Sequence, residues 1–309
     1  MAILVLSAPL RSAPFAAALH QVAPDIPVWT EQDQPPPDAV EAILAWRMPA
    51  GVLPAYPKLR VLCSTGAGVD KLIDAPDLPP DLPVTRVVDP VQAQEIAQYV
   101  VACTLRFTRD FALYAEQQAQ ALWRRHPVRE ASQCRIGVLG MGAVGQAIAR
   151  VFVPLGYPVG GWSRTPHLVP GVAGFAGADE LPQFLSQADV LVCALPLTTH
   201  TRGLLNHHTL SQLPRGAWVI NVGHGEHLVE PDLHALLDGG YLAGAALDVF
   251  EREPAAADHW IWSHPRVLAT PHIASQASFE TVARQCVEAL HWARAGLAQP
   301  RAVNRAAGY

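Results

Sequence analysis

Gly140, Gly142 and Gly145 stand in G-x-G-x-x-G spacing, between a short apolar run that ends at Gly140 and a helical pattern of Val144, Ile148, Val151 and Phe152. In such a strand–turn–helix the first glycine makes the tight turn and the second lets a pyrophosphate approach the backbone. The third lets helix and strand pack closely, with the helix N-terminus aimed at the anion. The run Gly140-Met141-Gly142-Ala143-Val144-Gly145 is therefore a candidate dinucleotide cradle. A second turn, Thr65-Gly66-Ala67-Gly68-Val69-Asp70, also follows a strand and opens a helix. Its amides are either a site for a small anion or a plain glycine turn. At the end of the strand after the cradle, a carboxylate takes the ribose 2′-hydroxyl of NAD in folds of this kind. Here the residues are Ser163-Arg164-Thr165. Two hydroxyls and a guanidinium suit an extra 2′-phosphate, which favours NADP and leaves NAD possible, unless Arg164 is an exposed loop residue.

These residues need a scaffold that presents strand ends. Apolar runs at Ile3–Leu6, Ala39–Trp46, Leu59–Thr65 and Val84–Val88 alternate with helical or proline-rich stretches, Pro35-Pro36-Pro37 being a surface connection. Further runs follow at Tyr157–Trp162, Val190–Ala194, Ala217–Val222, Leu242–Val249 and Val267–Ala269, with helix-sized segments between most of them. Such alternation predicts an α/β protein with doubly wound parallel sheets, whose ligands bind outside the carboxyl ends of the strands. Asp89 as N-cap and Pro90 as first helical residue open a helix expected to run to about Trp123, long enough to bridge domains or meet another subunit. A helix from Ser278 to about Ala295 is expected to cross back to the first domain. The expected division is a discontinuous substrate domain, 1–98 with 279–309, and a dinucleotide-binding domain, 99–278.

The chain has 309 residues, half of them hydrophobic and 16% charged, which fits a folded globular protein of two domains. A net charge of −5 without Lys/Arg blocks argues against nucleic acid or an anionic membrane as partner. The opening Met1-Ala2-Ile3-Leu4-Val5-Leu6 lacks basic residues before it and reads as a buried strand, not a signal peptide. Five scattered cysteines without a C-x-x-C pair suit a reducing, cytoplasmic setting and supply no metal framework.

The remaining strand ends carry a resemblance. They read Leu195-Pro196-Leu197-Thr198, Asn221-Val222-Gly223-His224-Gly225, Leu247-Asp248-Val249-Phe250, Glu253-Pro254 and Thr270-Pro271-His272-Ile273-Ala274. With Trp162-Ser163-Arg164-Thr165, Pro170-Gly171-Val172, Phe175-Ala176-Gly177, Phe184-Leu185-Ser186-Gln187 and the closing Val303-Asn304-Arg305…Gly308-Tyr309, the chain resembles the D-2-hydroxyacid dehydrogenases over essentially its whole length. Within them it is most similar to the glyoxylate/hydroxypyruvate reductase A group. The resemblance implies a flavodoxin-like substrate domain beside the Rossmann domain, a homodimer, and a small 2-oxo acid held in an interdomain cleft. It also implies roles. His272 would protonate the carbonyl oxygen and Glu253 would hold its imidazole, since a neighbouring carboxylate favours the charged ring. Asp248 would accept from the nicotinamide amide, with a structural cap as the alternative. Leu195, Pro196, Asn221, Val222 and Gly223 would line the cofactor. Gly66, Ala67 and Gly68 would offer amides to the substrate carboxylate, and Trp46 and Arg47 would wall its pocket, a surface role for Arg47 being as acceptable.

One residue departs from the family pattern Asn-x-Ala/Gly-Arg-Gly, whose arginine clamps the substrate carboxylate: here it is His224. Histidine is shorter and cannot make the bidentate fork. Three readings follow: an NADPH-dependent reductase of glyoxylate and hydroxypyruvate, a reductase of another 2-oxo acid clamped by Arg47 or another cation, or a weakly active or non-catalytic dinucleotide-binding protein. A metal held by His224, Glu226 and His227 is a fourth, unsupported by any other ligand at the right spacing.

Overall fold

The computed structural model describes residues 2–8 and 10–305, so Gly308 and Tyr309 of the closing motif lie outside the described residues. The chain divides into two units, Met1–Asp89 with Gln276–Tyr309, and Pro90–Ser275. In the first unit β1 (Ala2–Leu6), α1 (Ser12–Val22), β2 (Val28–Thr30), β3 (Val40–Ala45), β4 (Val61–Ser64), α2 (Asp70–Ile73) and β5 (Val84–Thr85) follow one another. The strands form a parallel sheet in the order β2-β1-β3-β4-β5, the flavodoxin-like 2-1-3-4-5 winding. β1, β3 and β4 are near-continuous apolar runs because both faces of such a sheet are covered.

The second unit runs α3 (Pro90–Thr108), α4 (Phe111–Ala119), β6 (Ile136–Leu139), α5 (Ala143–Phe152), β7 (Val159–Ser163), β8 (Val172–Ala176), α6 (Gly177–Leu185), β9 (Val190–Cys193), α7 (His207–Leu210), β10 (Trp218–Asn221), α8 (Glu230–Asp238), β11 (Gly244–Leu247) and β12 (Val267–Ala269). Its parallel sheet has the order β12-β11-β10-β9-β6-β7-β8, a Rossmann winding extended by one strand. The order reverses between β6 and β9, and there the glycine turn lies.

Three expectations are corrected. The helix from Pro90 is broken at Asp110, which adopts the left-handed φ of 53° that aspartate tolerates better than most residues; α4 then starts afresh. The strands β2 and β8 were not visible in the sequence: β2 is three residues long, and β8 reads Val-Ala-Gly-Phe-Ala, without a buried face. The units part at Asp89/Pro90 and Ser275/Gln276 instead of 98/99 and 278/279. The helix α3 belongs entirely to the second unit, where Ala97, Val100, Cys103 and Phe107 pack with Ile148, Ala149 and Phe152 of α5.

The last helix, α9 (Phe279–Arg294), belongs to the first unit. Ser278 caps it by accepting from the Thr281 N–H at 3.1 Å. Val282, Ala283, Cys286 and Leu290 share a core with Phe15 and Leu19 of α1 and with Leu44 and Val61 of the sheet. Arg294 donates to Glu41 at 2.7 Å. Burial pushes the Glu41 carboxyl up, but Arg294 and Arg60 outweigh it and hold that carboxyl below its ordinary value.

Candidate active site

In the second unit the candidates from the sequence fall on the carboxyl ends of β6, β7, β9, β10, β11 and β12. Backbone bonds continue the ladder past the strands and tie these ends together: Gly140 N–H to Trp162 O, Ala194 to Leu139, Val222 to Cys193, Asp248 to Asn221 and Thr270 to Leu247, all 2.8–3.2 Å. The row is fixed by the sheet itself.

The three glycines differ in what requires them. Gly140 has φ +98°, and a Cβ there would lie 2.6 Å from the Ala194 carbonyl oxygen. A Cβ on Gly145 would overlap the Gly140 carbonyl. Gly142 has no atom within 4 Å of its Cβ position, and it caps α5 with both itself and Ala143 exposed. The protein demands two of the glycines for its own packing. The third keeps open a place at a helix N-terminus, and this fits a bound pyrophosphate. Met141 is buried, so its contribution to the cradle is backbone.

At the end of β7 the Ser163 hydroxyl donates to the Thr165 carbonyl at 2.7 Å, and the His167 ring meets the same carbonyl at 2.8 Å. Ser163 is buried, whereas Arg164 and Thr165 are exposed. The serine thus closes the turn that presents the other two, and His167 is a member that pattern reading missed.

His272 follows β12 with φ +56°, a conformation costing a β-carbon residue about 1–2 kcal/mol. It is imposed by its neighbours. The His272 N–H donates to the Asp248 carbonyl at 2.9 Å. The next two amides, Ile273 and Ala274, donate to the Asp248 carboxylate at 2.8 Å each. Thr270 Oγ1 donates to the same carboxylate at 2.6 Å, and the Tyr99 hydroxyl on α3 lies 2.6 Å from Thr270 Oγ1. Burial pushes the Tyr99 phenol far above its usual range, so it stays a donor. Asp248, itself buried, is the clamp on the segment that carries His272. Held this way, His272 Nδ1 lies 2.9 Å from Glu253 Oε2, and Glu253 Oε1 accepts from the Phe250 N–H at 3.1 Å. A carboxylate only accepts, so Nδ1 carries a hydrogen, and Nε2 is the ring nitrogen at which a proton could be exchanged. Tyr99 and Thr270 lie 171 residues apart, and nothing in the sequence couples them.

His224 is half-buried at the end of β10. The buried Asn221 side chain holds its turn, donating to the His224 carbonyl at 2.9 Å and accepting from the Gly223 N–H at 3.1 Å. His227 turns away from a shared metal site, its ring nitrogens facing the His224 N–H and the Pro196 carbonyl. Another trio, His234, Asp238 and His264, converges to within 4.8 Å. There His264 Nδ1 accepts from the Arg266 N–H; its hydrogen is then on Nε2, which lies 3.3 Å from Asp238 Oδ1 and faces it as a neutral donor.

In the first unit, Trp46 and Arg47 follow β3 and the Gly66–Gly68 turn follows β4, next to the β1/β3 point where that sheet reverses. Lys71 Nζ lies 5.1 Å from the centre of the Trp46 ring. The Gly66 N–H donates to Ser64 Oγ at 3.1 Å, and Ser64 Oγ donates to the Gly68 carbonyl at 2.8 Å. The helix that this turn opens, α2, has four residues.

Fold and site define an α/β protein with a Rossmann unit whose strand ends carry an imidazole–carboxylate pair. Residues 101–274 match the family model described as "D-isomer specific 2-hydroxyacid dehydrogenase, NAD binding domain". The chain belongs to the D-isomer-specific 2-hydroxyacid dehydrogenases, an NAD(P)-dependent family of oxidoreductases. It is 37% identical over 286 residues to glyoxylate/hydroxypyruvate reductase A of Yersinia enterocolitica, covering 91% of this chain and 90% of that protein. Among solved structures, a family member from Xanthobacter autotrophicus Py2 in complex with NADPH and MES shares 39% identity at a TM-score of 0.92, over 100% of this chain and 99% of that one. The NADPH-dependent glyoxylate/hydroxypyruvate reductase of Sinorhizobium meliloti, in complex with NADP and sulfate, shares 32% at 0.93, over 99% of each chain. Among the described residues no helix is long and apolar enough to cross a membrane.

Proposed function

We propose that this chain reduces small 2-oxo acids, glyoxylate and hydroxypyruvate first, to 2-hydroxy acids with NADPH as the preferred cofactor. The observation that carries this reading is the His272–Glu253 pair, 2.9 Å apart, on the same row of strand ends as the open glycine turn. NADPH, when bound, supplies the hydride for the carbonyl carbon. Gly140–Gly145 would hold its pyrophosphate, Arg164 and Thr165 its 2′-phosphate, and the strand ends at Leu195–Pro196 and Asn221–Gly223 its nicotinamide half. Asp248 retains room for a further bond on its second oxygen, which the nicotinamide amide would supply. His272 Nε2 gives its proton to the carbonyl oxygen, and Glu253 keeps the ring oriented and favours its charged form before transfer. Gly66, Ala67 and Gly68 with Trp46 and Arg47 would receive the substrate, the first unit being its domain and the second the dinucleotide's. Because the Gly66 N–H already bonds Ser64 Oγ, the Ala67 and Gly68 amides are the better donors for a carboxylate. The exposed Phe111, Leu122, Trp123 and Val128 support a homodimer through the second unit, and the free, buried cysteines support a cytoplasmic setting.

His224 favours a second reading. Where the family places a guanidinium, a half-buried imidazole forfeits the bidentate bond, a loss of about 2–5 kcal/mol for a buried charged partner. The enzyme would then be slow on glyoxylate or act on another 2-oxo acid, with Arg47 or another cation as clamp. NADPH oxidation across a panel of 2-oxo acids tests both. Turnover of glyoxylate or hydroxypyruvate supports the first, turnover of a different member only supports the second, and NADPH binding without any turnover counts against both. His224→Arg is expected to raise kcat/KM for glyoxylate about tenfold or more.

A further inference from the structure

The imidazole of His227 is a titratable group that hydride transfer does not use, and it is wholly buried. Its two ring nitrogens face opposite kinds of partner. Nε2 lies 3.2 Å from the Pro196 carbonyl oxygen, which only accepts, so Nε2 carries the hydrogen. Nδ1 lies 3.0 Å from the backbone N–H of His224, which only donates, so Nδ1 is unprotonated. One neutral tautomer satisfies both contacts, whereas the imidazolium satisfies one. The backbone of His227 is anchored as well, its carbonyl accepting from the Leu205 N–H at 2.8 Å. The titratable side chains on its own turn are His224, whose ring centre is 5.7 Å away, and Glu226. The facing segments Leu195-Pro196-Leu197 and Leu204-Leu205 contribute none.

From this geometry we infer that His227 is a positioning residue, fixed neutral with its hydrogen on Nε2, which ties the turn carrying His224 to the Leu195–Pro196 strand end. Its effect on catalysis rests on the proposed role of His224; its tautomer does not. A proton on Nδ1 would set two donors against each other in a buried place and release the turn, at the cost of an unsatisfied amide. His227 therefore acts through the backbone of His224 and not on the substrate.

Nitrogen NMR of protein labelled with ¹⁵N-histidine tests the inference between about pH 8 and pH 5, the range in which ordinary histidines charge. The His227 signals are those missing from His227→Gln. They are expected to keep the pattern of a neutral Nε2–H ring throughout that range. In His227→Gln the amide still offers one donor and one acceptor, and kcat/KM for the turned-over oxo acid is expected within about threefold of wild type. In His227→Leu the KM for that acid is expected to rise about tenfold or more. A His227 that becomes charged within that range, or carries its hydrogen on Nδ1, overturns the inference, and so does a folded His227→Leu protein with unchanged KM. Should the leucine variant not fold, the wild-type spectrum and the glutamine variant decide. A wild type inactive on every 2-oxo acid overturns the proposed function instead and leaves the spectrum to be read as before.

Discussion

The two parallel sheets use their carboxyl ends differently. In the second unit, side chains and open space at successive strand ends make the candidate chemistry: Gly142 with nothing beside its Cβ position, exposed Arg164, Asp248 clamping the His272 segment. In the first unit the candidates lie on two strand ends, and their glycine turn is largely satisfied from within. Ser64 Oγ bridges Gly66 and Gly68, and the Gly66 carbonyl accepts from the Val87 N–H. Similar glycine-rich strings after a strand can thus serve opposite ends. A glycine demanded by neighbouring protein atoms tells about packing, whereas one that nothing in the protein demands points to a ligand.

Substitutions can break this contrast or sharpen it. The largest effect is expected for His272→Gln, which should lose about 10²–10⁴-fold in kcat while NADPH affinity, measured by fluorescence titration, stays near wild type. Retained activity would remove His272 from the chemistry. In the companion Glu253→Gln the imidazolium loses its ionic partner and its pKa falls. The decline of kcat/KM with rising pH should therefore set in at lower pH than in wild type.

Next in size, Gly145→Ala should cost about 3 kcal/mol or more of stability, because its Cβ meets a backbone carbonyl that cannot rotate away. Gly142→Ala should leave thermal stability within about 0.5 kcal/mol, yet weaken NADPH binding about tenfold by occupying the ligand's approach. If both variants behave alike, the distinction between packing and ligand glycines fails. Arg164→Ala should erase most of an NADPH over NADH preference of about tenfold. An unchanged ratio would put the 2′-phosphate elsewhere. The smallest effect belongs to the first unit. Ser64→Ala frees the Gly66 N–H and loosens the turn by about 1 kcal/mol, so KM for the oxo acid should change a few-fold with NADPH affinity constant.

Much of this organisation was legible in the chain because it is local. A G-x-G-x-x-G string between an apolar run and a helical one announces itself within fifteen or so residues, and the buried strands β3, β4 and β9 are near-continuous apolar runs, interrupted in β3 by Glu41 and closed in β4 by Ser64. What escaped was either too short or too distant. The strand β2 has three residues, too few for a period. The break at Asp110 is a single dihedral inside an otherwise continuous apolar pattern. The Tyr99–Thr270–Asp248 chain spans three separate elements, and single-sequence patterns carry no information on such pairings. His227 belongs to the same class: its type suggested a metal ligand, and only its two backbone partners gave it a different part.

The division of the chain also has a bearing on how the protein is made. The second unit is contiguous, Pro90–Ser275, whereas the first needs α9 from the far end to complete its core. During synthesis the domains of a chain commonly fold in order as they emerge. Here the part that emerges first must wait, its Phe15, Leu19 and Leu44 lacking the cover of Val282, Cys286 and Leu290 until the last helix has left the ribosome. A nascent chain arrested at Ser275 would resist protease across its middle and be cut near its beginning. Deleting the last helix from the finished protein should therefore expose the amino-terminal sheet, although the two are remote in sequence.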